Sequence, residues 1–383
     1  MRKVIGTGFF VATLLAASAA HADITVGFIT SLSGNGSSIG IPYSKGIAAA
    51  KEYKATVDGQ TIKLIQLDDQ SDSSIATRDA QKLVQDDKVD LLIGTASAPS
   101  TIAVSTVAAQ LKVPMIAISP IAAKPKAGTE QWAICVPQPA PLLISTIAKR
   151  MKHESVKTVG YIGFNDAWGD LVYNGAKKAE SEGAFKITTD QRYSRTDTSV
   201  TGQILKIIST RPDSVLIGGS GTQGALPLLT LSQLGYKGKT FGTAALVNAD
   251  FVRVGGPAAN GIEVAAGPVI VAGQLPDGHY AKKISLAFRG AYKKVNGDLP
   301  SDGFSAYSFD AWLIFTDAAK QALAVAKPGT QAFRDALRQA FFKIKGLAGT
   351  QGIYTFKQGN HYGVDSRSLV VMTLENGKWT YEH

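Results

Sequence analysis

Residues 94–101 read GTASAPST, and four of these eight small residues carry a hydroxyl. The stretch follows the apolar run VDLLI and precedes IAVSTVAAQL, whose spacing is helical. A strand handing over to a helix in this way presents the helix's first N–H groups, which lack partners and carry partial positive charge. Small side chains let an anion reach those donors, and Ser97, Ser100 and Thr101 can add hydroxyls. The chemistry implied is capture of a carboxylate without a lysine. Capping by serine and threonine accounts for some of the hydroxyls. It does not account for Ala96 and Ala98, or for a second strand end, SPIAA, that stays small through Ile121, Ala122 and Ala123.

Other motifs resemble chemistry less well. GGSGTQG (218–224) has the G-x-G-x-x-G spacing of a dinucleotide turn, but KTFGTAALV follows where the ribose-binding acid should stand. A Gly-rich turn lining a cleft is the expected reading. GKT (238–240) lacks the first glycine of a phosphate loop. The acidic run DDQSD (68–72) sits at a helix start, where aspartates cap and complement the dipole. The five histidines show no metal spacing, and no G-x-S-x-G elbow occurs. Cys135 is the only cysteine, which excludes an intrachain disulfide and reads as an inert buried thiol. No enzyme activity, metal or cofactor is expected.

The elements that must position these residues form two series. Of the 383 residues, 45% are hydrophobic and 18% charged, the balance of an ordinary globular protein. Residues 1–22 have a basic start, an apolar stretch and a small-residue end, the layout of a secretory leader cleaved after Ala22. Losing Arg2 and Lys3 with it would lower the formal charge of +10 by two. The remaining Lys and Arg are scattered, which argues against a nucleic-acid partner.

Apolar strand-length runs alternate with amphipathic stretches over 24–119 and again over 142–243. Strands without polar alternation imply parallel sheets covered on both faces, so the expected fold is α/β with two doubly wound lobes. Helices are expected near Ser44–Tyr53 and Ser74–Gln85 in the first series. Three more are expected near Tyr280–Val295, Ser305–Ala326 and Gln331–Phe342. A β-rich tail follows, GIYTF, SLVVMTL and KWTY, with ENG (375–377) as a hairpin turn. Pro- and Gly-marked crossings near 141, 268 and 350 divide the chain into lobe 1 (23–141 and 269–350) and lobe 2 (142–268 and 351–383), joined by a multi-strand hinge. Such a frame suits a ligand held between lobes.

The stretches SLSGNGSSIGIPYSKGIAAA, DDQSDSSIATRDAQKLVQDDKVDLLIGTASAPSTIAVSTVAAQLKVPMIAISP, YIGFNDAWGDL and YSFDAW resemble the leucine/isoleucine/valine-binding type of ABC transporter solute receptor. The resemblance covers nearly the whole chain after residue 22. It implies a type I periplasmic-binding fold, a periplasmic location and delivery of a ligand to an inner-membrane ABC permease. It places the carboxylate site on Ala98, Ser100 and Thr101 with the backbone of Ile121, Ala122 and Ala123. An aromatic lid is implied at Trp168, and further cleft contacts at Ile39, Ser220, Gly221, Thr243 and Ala244.

Three positions depart from that pattern. Ser71 and Ser97 stand where disulfide-bearing relatives have cysteines, and Ala123 replaces a carboxylate-holding threonine. The acid that would pair with a ligand's α-ammonium belongs near 243–245, where the chain reads TAA. A buried ammonium without such a partner costs several kcal/mol. The expected ligand is therefore a small aromatic or aliphatic carboxylic acid lacking an α-amino group. The alternative is a branched-chain or neutral amino-acid or amide receptor taking its acid from elsewhere, Asp166 or Asp250.

Overall fold

The structure, a computed structural model, describes residues 23–122 and 124–382. The leader expected over 1–22, its cleavage after Ala22, and Ala123 lie outside the described residues. In chain order the first series is β1 (Ile24–Thr30), α1 (Ser37–Tyr53), β2 (Thr56–Val57), β3 (Gln60–Asp68), α2 (Ser73–Gln85), β4 (Leu91–Gly94), α3 (Ala98–Gln110), β5 (Met115–Ala117) and β6 (Ala133–Cys135). The second opens with α4 (Ala140–His153), β7 (Thr158–Phe164), α5 (Ala167–Ser181), β8 (Lys186–Tyr193) and α6 (Thr201–Ser209). It continues with β9 (Ser214–Gly218), α7 (Leu226–Gln233), β10 (Lys239–Thr243), α8 (Ala249–Gly255) and β11 (Glu263–Ala266). The chain ends with α9 (Tyr280–Asn296), α10 (Phe304–Leu323), α11 (Gln331–Phe341), β12 (Leu347–Ala348), β13 (Ile353–Tyr354), β14 (Val370–Glu375) and β15 (Lys378–Glu382).

Two large sheets result, as the doubly wound α/β reading expects, beside a separate antiparallel pair of β12 and β13. The first has the order β2-β3-β1-β4-β5-β6 and is parallel apart from β2. The second has the order β15-β14-β11-β10-β9-β7-β8, parallel from β11 to β8, with β14 and β15 antiparallel at its edge. Burial on both faces explains the apolar strands. Ile24, Val26, Phe28 and Ile29 of β1 are all fully buried, worth about 1.5–3 kcal/mol each against exposure. One core packs α1, α9, α10 and α11 on one face of the first sheet, and another packs α2 and α3 on the opposite face.

Several boundaries differ from the sequence reading. Helix α1 starts at Ser37 rather than near Ser44 and contains Pro42. The proline has no N–H to give the carbonyl four residues back, and that carbonyl, Ser38 O, accepts instead from Asn248 Nδ2 at 2.6 Å. Strand β11 was absent from the expected series because its four residues, EVAA, are too few and too small to stand out. Most of GIYTF is not strand. Tyr354 and Phe356 join the core of the first sheet, and Cys135 forms a bridge with Tyr362. The third crossing therefore lies after these residues, near 365–369, and not at 350. The ENG turn forms the β14–β15 hairpin, with Asn376 and Gly377 at φ 49° and 77°.

The acidic run behaves as caps and ties. Asp72 accepts from the Ser74 and Ile75 N–H groups at the start of α2. Asp68 holds the Leu32 and Ser33 N–H groups of the turn after β1. Cys135 is fully buried, and burial pushes its thiol up to about 12, out of reach of nucleophilic chemistry near neutrality.

Candidate functional site

In each sheet the chain order reverses once, between β1 and β4 in the first and between β7 and β9 in the second. Ligand crevices form at the carboxyl ends of strands beside such reversals. The segments leaving those ends meet across one cavity, partly open to solvent, whose empty space is about 480 Å3 with that open solvent included. From the first lobe it is lined by Ile39 and Tyr43 of α1, Ala96–Ala98 after β4, and Ser119 and Pro120 after β5. Phe304 and Tyr307 of α10 complete that wall. From the second lobe come Trp168 after β7, Arg195 after β8, Ser220 after β9, and Ala244 and Ala245 after β10. Pro137 and Gln138 of the first crossing, with Leu143, close one side.

Of the residues expected from sequence, Ile39, Ser97, Ala98, Trp168, Ser220 and Ala244 line this cavity. The others do not. Thr101 turns its hydroxyl inward, donating to Ser97 O at 2.8 Å and accepting from Thr95 N at 3.1 Å. Ser100 is buried, with its hydroxyl 3.5 Å from that of Ser73. The Ile121 backbone is held by Tyr362, whose hydroxyl donates to Ile121 O at 2.7 Å and accepts from Ile121 N at 3.1 Å. Ala122 O accepts from His361 Nδ1 at 2.6 Å. The Thr243 hydroxyl accepts from Ala245 N, capping the turn that follows. Gly221 stands where the lobes touch: it has φ +53°, and a Cβ there would lie 2.7 Å from Ser38 Oγ.

The helix-start expectation needs a further correction. Ser97 Oγ accepts from Ser100 N at 3.3 Å, Thr101 N donates to Ser97 O, and Pro99 has no N–H. Ala98 alone remains to offer an N–H from the first turn of α3. Cap and proline, the residues that start this helix well, reduce the donors it can offer an anion to the Ala98 N–H and the Ser97 hydroxyl, which accepts in the cap and keeps its own proton.

The charge in the cavity comes from elsewhere. Among its described lining residues Arg195 alone is formally charged, and no carboxylate lines it. The guanidinium is 21% exposed, donates from Nε to Asp166 Oδ2 at 2.6 Å and from Nη1 to Ser220 Oγ at 3.2 Å. Its Cζ lies 4.1 Å from the centre of the Phe164 ring. Of its five N–H donors, three remain. Asp166 is fully engaged, since its Oδ1 accepts from Trp168 N and Gly169 N at the start of α5. Asp250 pairs with Arg253 on α8. Trp168 donates its indole N–H to Gly219 O at 3.2 Å and is 5% exposed, so toward the cavity it offers only apolar ring.

Arg195, Tyr43, Tyr307, Gln138 and Ser119 were not expected from sequence. Two signals could have found some of them. Arg195 follows the carboxyl end of an expected strand, and Tyr43 lies one helical turn from Ile39. Tyr307 and Gln138 gave no such signal, because their places depend on how α10 packs against the first crossing.

Hydrogen bonds join the lobes beside the cavity. Thr222 N donates to Ser38 Oγ at 3.4 Å, Asn248 Nδ2 to Ser38 O at 2.6 Å, and Gly303 N to Val247 O at 2.9 Å.

Residues 23–378 match the family described as periplasmic binding protein. A Leu/Ile/Val-binding protein homolog from Brucella melitensis is 26% identical over 68% of this chain and 71% of its own length. The Leu/Ile/Val-binding protein BraC3 of Rhizobium johnstonii is 27% identical over 67% of this chain and 70% of its own. A solved extracellular ligand-binding receptor from Rhodopseudomonas palustris HaA2 is 37% identical, covers 94% of this chain and 100% of its own, and superposes with a TM-score of 0.90.

Proposed function

The chain belongs to the periplasmic binding protein family, and from that premise we propose that it captures a small organic carboxylate between its lobes and delivers it to an inner-membrane ABC permease. The role is capture, not conversion, and membership of a periplasmic family supports a periplasmic location. One observation carries the ligand class: a largely apolar cavity with a single charged lining group, Arg195, and no facing acid among the described residues. The three free N–H groups of Arg195 suit a carboxylate, and charge-assisted bonds of this kind are stronger than neutral ones. Trp168, Ile39 and Leu143 supply apolar surface for an aromatic or aliphatic body.

A second reading, a branched-chain amino-acid receptor, is favoured by the names of the two curated relatives. It requires a carboxylate for the ammonium group. Asp166 is consumed by Arg195 and by the start of α5, so an amino acid would bury its charge unpaired, at a cost of several kcal/mol.

Thermal melting against a ligand panel separates the two readings. Benzoate or a hydroxycinnamate at about 100 times its dissociation constant should add about 2.7 kcal/mol of stability, and leucine, isoleucine and valine should add none. A shift with the amino acids alone would refute the carboxylate reading.

A further inference from the structure

If the ligand is a carboxylate held by Arg195, the rest of the cavity wall specifies what its other end must be. Four hydroxyls line the first lobe's side, those of Ser97, Tyr43, Tyr307 and Ser119, and each has one proton to give. Ser97 only accepts, from Ser100 N, and keeps its proton, whereas the other three spend theirs on protein acceptors. Tyr43 donates to Ile118 O at 2.5 Å, Tyr307 to Gln138 Oε1 at 2.6 Å, and Ser119 to Thr95 O at 2.8 Å. Gln138 cannot turn its amide round to change this. Its Nε2 donates to Gln351 O at 2.7 Å and to Ser368 O at 3.3 Å, which fixes Oε1 toward Tyr307. Burial pushes both tyrosine hydroxyls well above their ordinary range, so they keep their protons. Swinging one of those protons toward a ligand would leave a buried oxygen without its donor, which is unfavourable. These three groups can therefore accept a hydrogen bond from a ligand but not readily donate one.

The accepting groups stand away from Arg195. Arg195 follows β8, the edge strand, and the order β8-β7-β9-β10 puts the end of β10 three strands further on, about 14 Å at the usual strand spacing. The Gly303 N–H bond to Val247 O brings the start of α10 to that end. Phe304 is the first residue of α10, and the Tyr43 ring packs edge-on against it at 5.7 Å. Tyr307 lies one turn further along the same helix. The cleft thus has a donor end at Arg195 and an acceptor end at the tyrosines.

We propose that the cleft reads a hydroxyl at the end of the ligand remote from its carboxylate, so that the ligand is a phenolic acid whose O–H donates to Tyr43, Tyr307 or Ser119. A plain apolar acid leaves the lone pairs of that end unanswered, and a second carboxylate would be repelled by them.

Titration calorimetry on the unaltered protein tests this with matched acids of two lengths. The short series is benzoate, 4-hydroxybenzoate, 4-methoxybenzoate and 2-hydroxybenzoate. The longer series is cinnamate, 4-hydroxycinnamate and 4-methoxycinnamate. In at least one series the 4-hydroxy acid should bind at least tenfold tighter than both the unsubstituted and the methoxy acid, because methoxy accepts but cannot donate. The 2-hydroxy acid, whose hydroxyl sits beside the carboxylate, should show no gain. Acids that bind with no preference for a 4-hydroxyl in either series would overturn the proposal while leaving the carboxylate reading intact. Failure of every acid to bind would overturn the carboxylate reading itself.

Discussion

Replacing Arg195 by methionine removes the charge from the cavity while keeping an unbranched chain. The guanidinium is 21% exposed and already ordered by Asp166 and Ser220, so little freedom is lost when a carboxylate binds it. A hydrogen bond to a charged group in such a place is worth about 1.5–3 kcal/mol, which corresponds to roughly 10- to 150-fold in dissociation constant. The fold should tolerate the change. Asp166 keeps its cap on α5 through Oδ1, and its side chain is 19% exposed, so water can reach the oxygen Arg195 leaves; the cost is about 1 kcal/mol or less. Calorimetry with a bound acid and with the matching primary amide separates charge recognition from shape. Arg195→Met should weaken the acid by at least tenfold and the amide by less than threefold. Arg195→Lys should fall between, because a point charge replaces a planar fork. Unchanged acid affinity in Arg195→Met would refute the reasoning and return the carboxylate to the start of α3.

Two further changes probe closure and the second strand end. Gly221→Ala puts a side chain at φ +53°, within 2.7 Å of Ser38 Oγ and 3.2 Å of Ile39. The backbone conformation costs about 1 kcal/mol, and the added methyl should hold the lobes apart, seen as a several-fold loss of affinity and a larger radius of gyration in the ligand-saturated protein. Unchanged values of both would show that the contact does not limit closure. His361 is held neutral, donating to Ala122 O, and burial keeps its pKa below the ordinary 6.5. Because the folded value lies below the unfolded one, its contribution to stability is whole above about pH 6.5 and is lost as pH falls through the lowered folded value. Melting curves from pH 8 to 5 should fall more steeply for the natural protein than for His361→Asn; parallel curves would contradict this.

The alternation of strands and helices was legible in the sequence because burial on both faces writes itself into every strand. The runs ITVGFIT and SVLIG are mainly apolar with no regular polar alternation, and each became a parallel strand. The strand-end rule pointed to Ser97 and Ala98, and the family resemblance to Trp168, Ser220 and Ala244; all five line the cavity. What was not legible depended on contacts between residues far apart in the chain. Strand β11 is four residues long and exists because β10 and β14 flank it. Small hydroxylated residues after β4 suggested an anion site at a helix start, but capping by Ser97 and the proline at position 99 left the first turn of α3 only one free N–H, that of Ala98. The charge that lines the cavity, Arg195, is oriented by an aspartate 29 residues earlier. The acceptor wall needs Tyr307 and Gln138, 169 residues apart, to meet. Local pattern determines which segments are buried and where their ends point; which polar atoms are already satisfied by distant partners, and so which remain for a ligand, is decided only when the chain has folded.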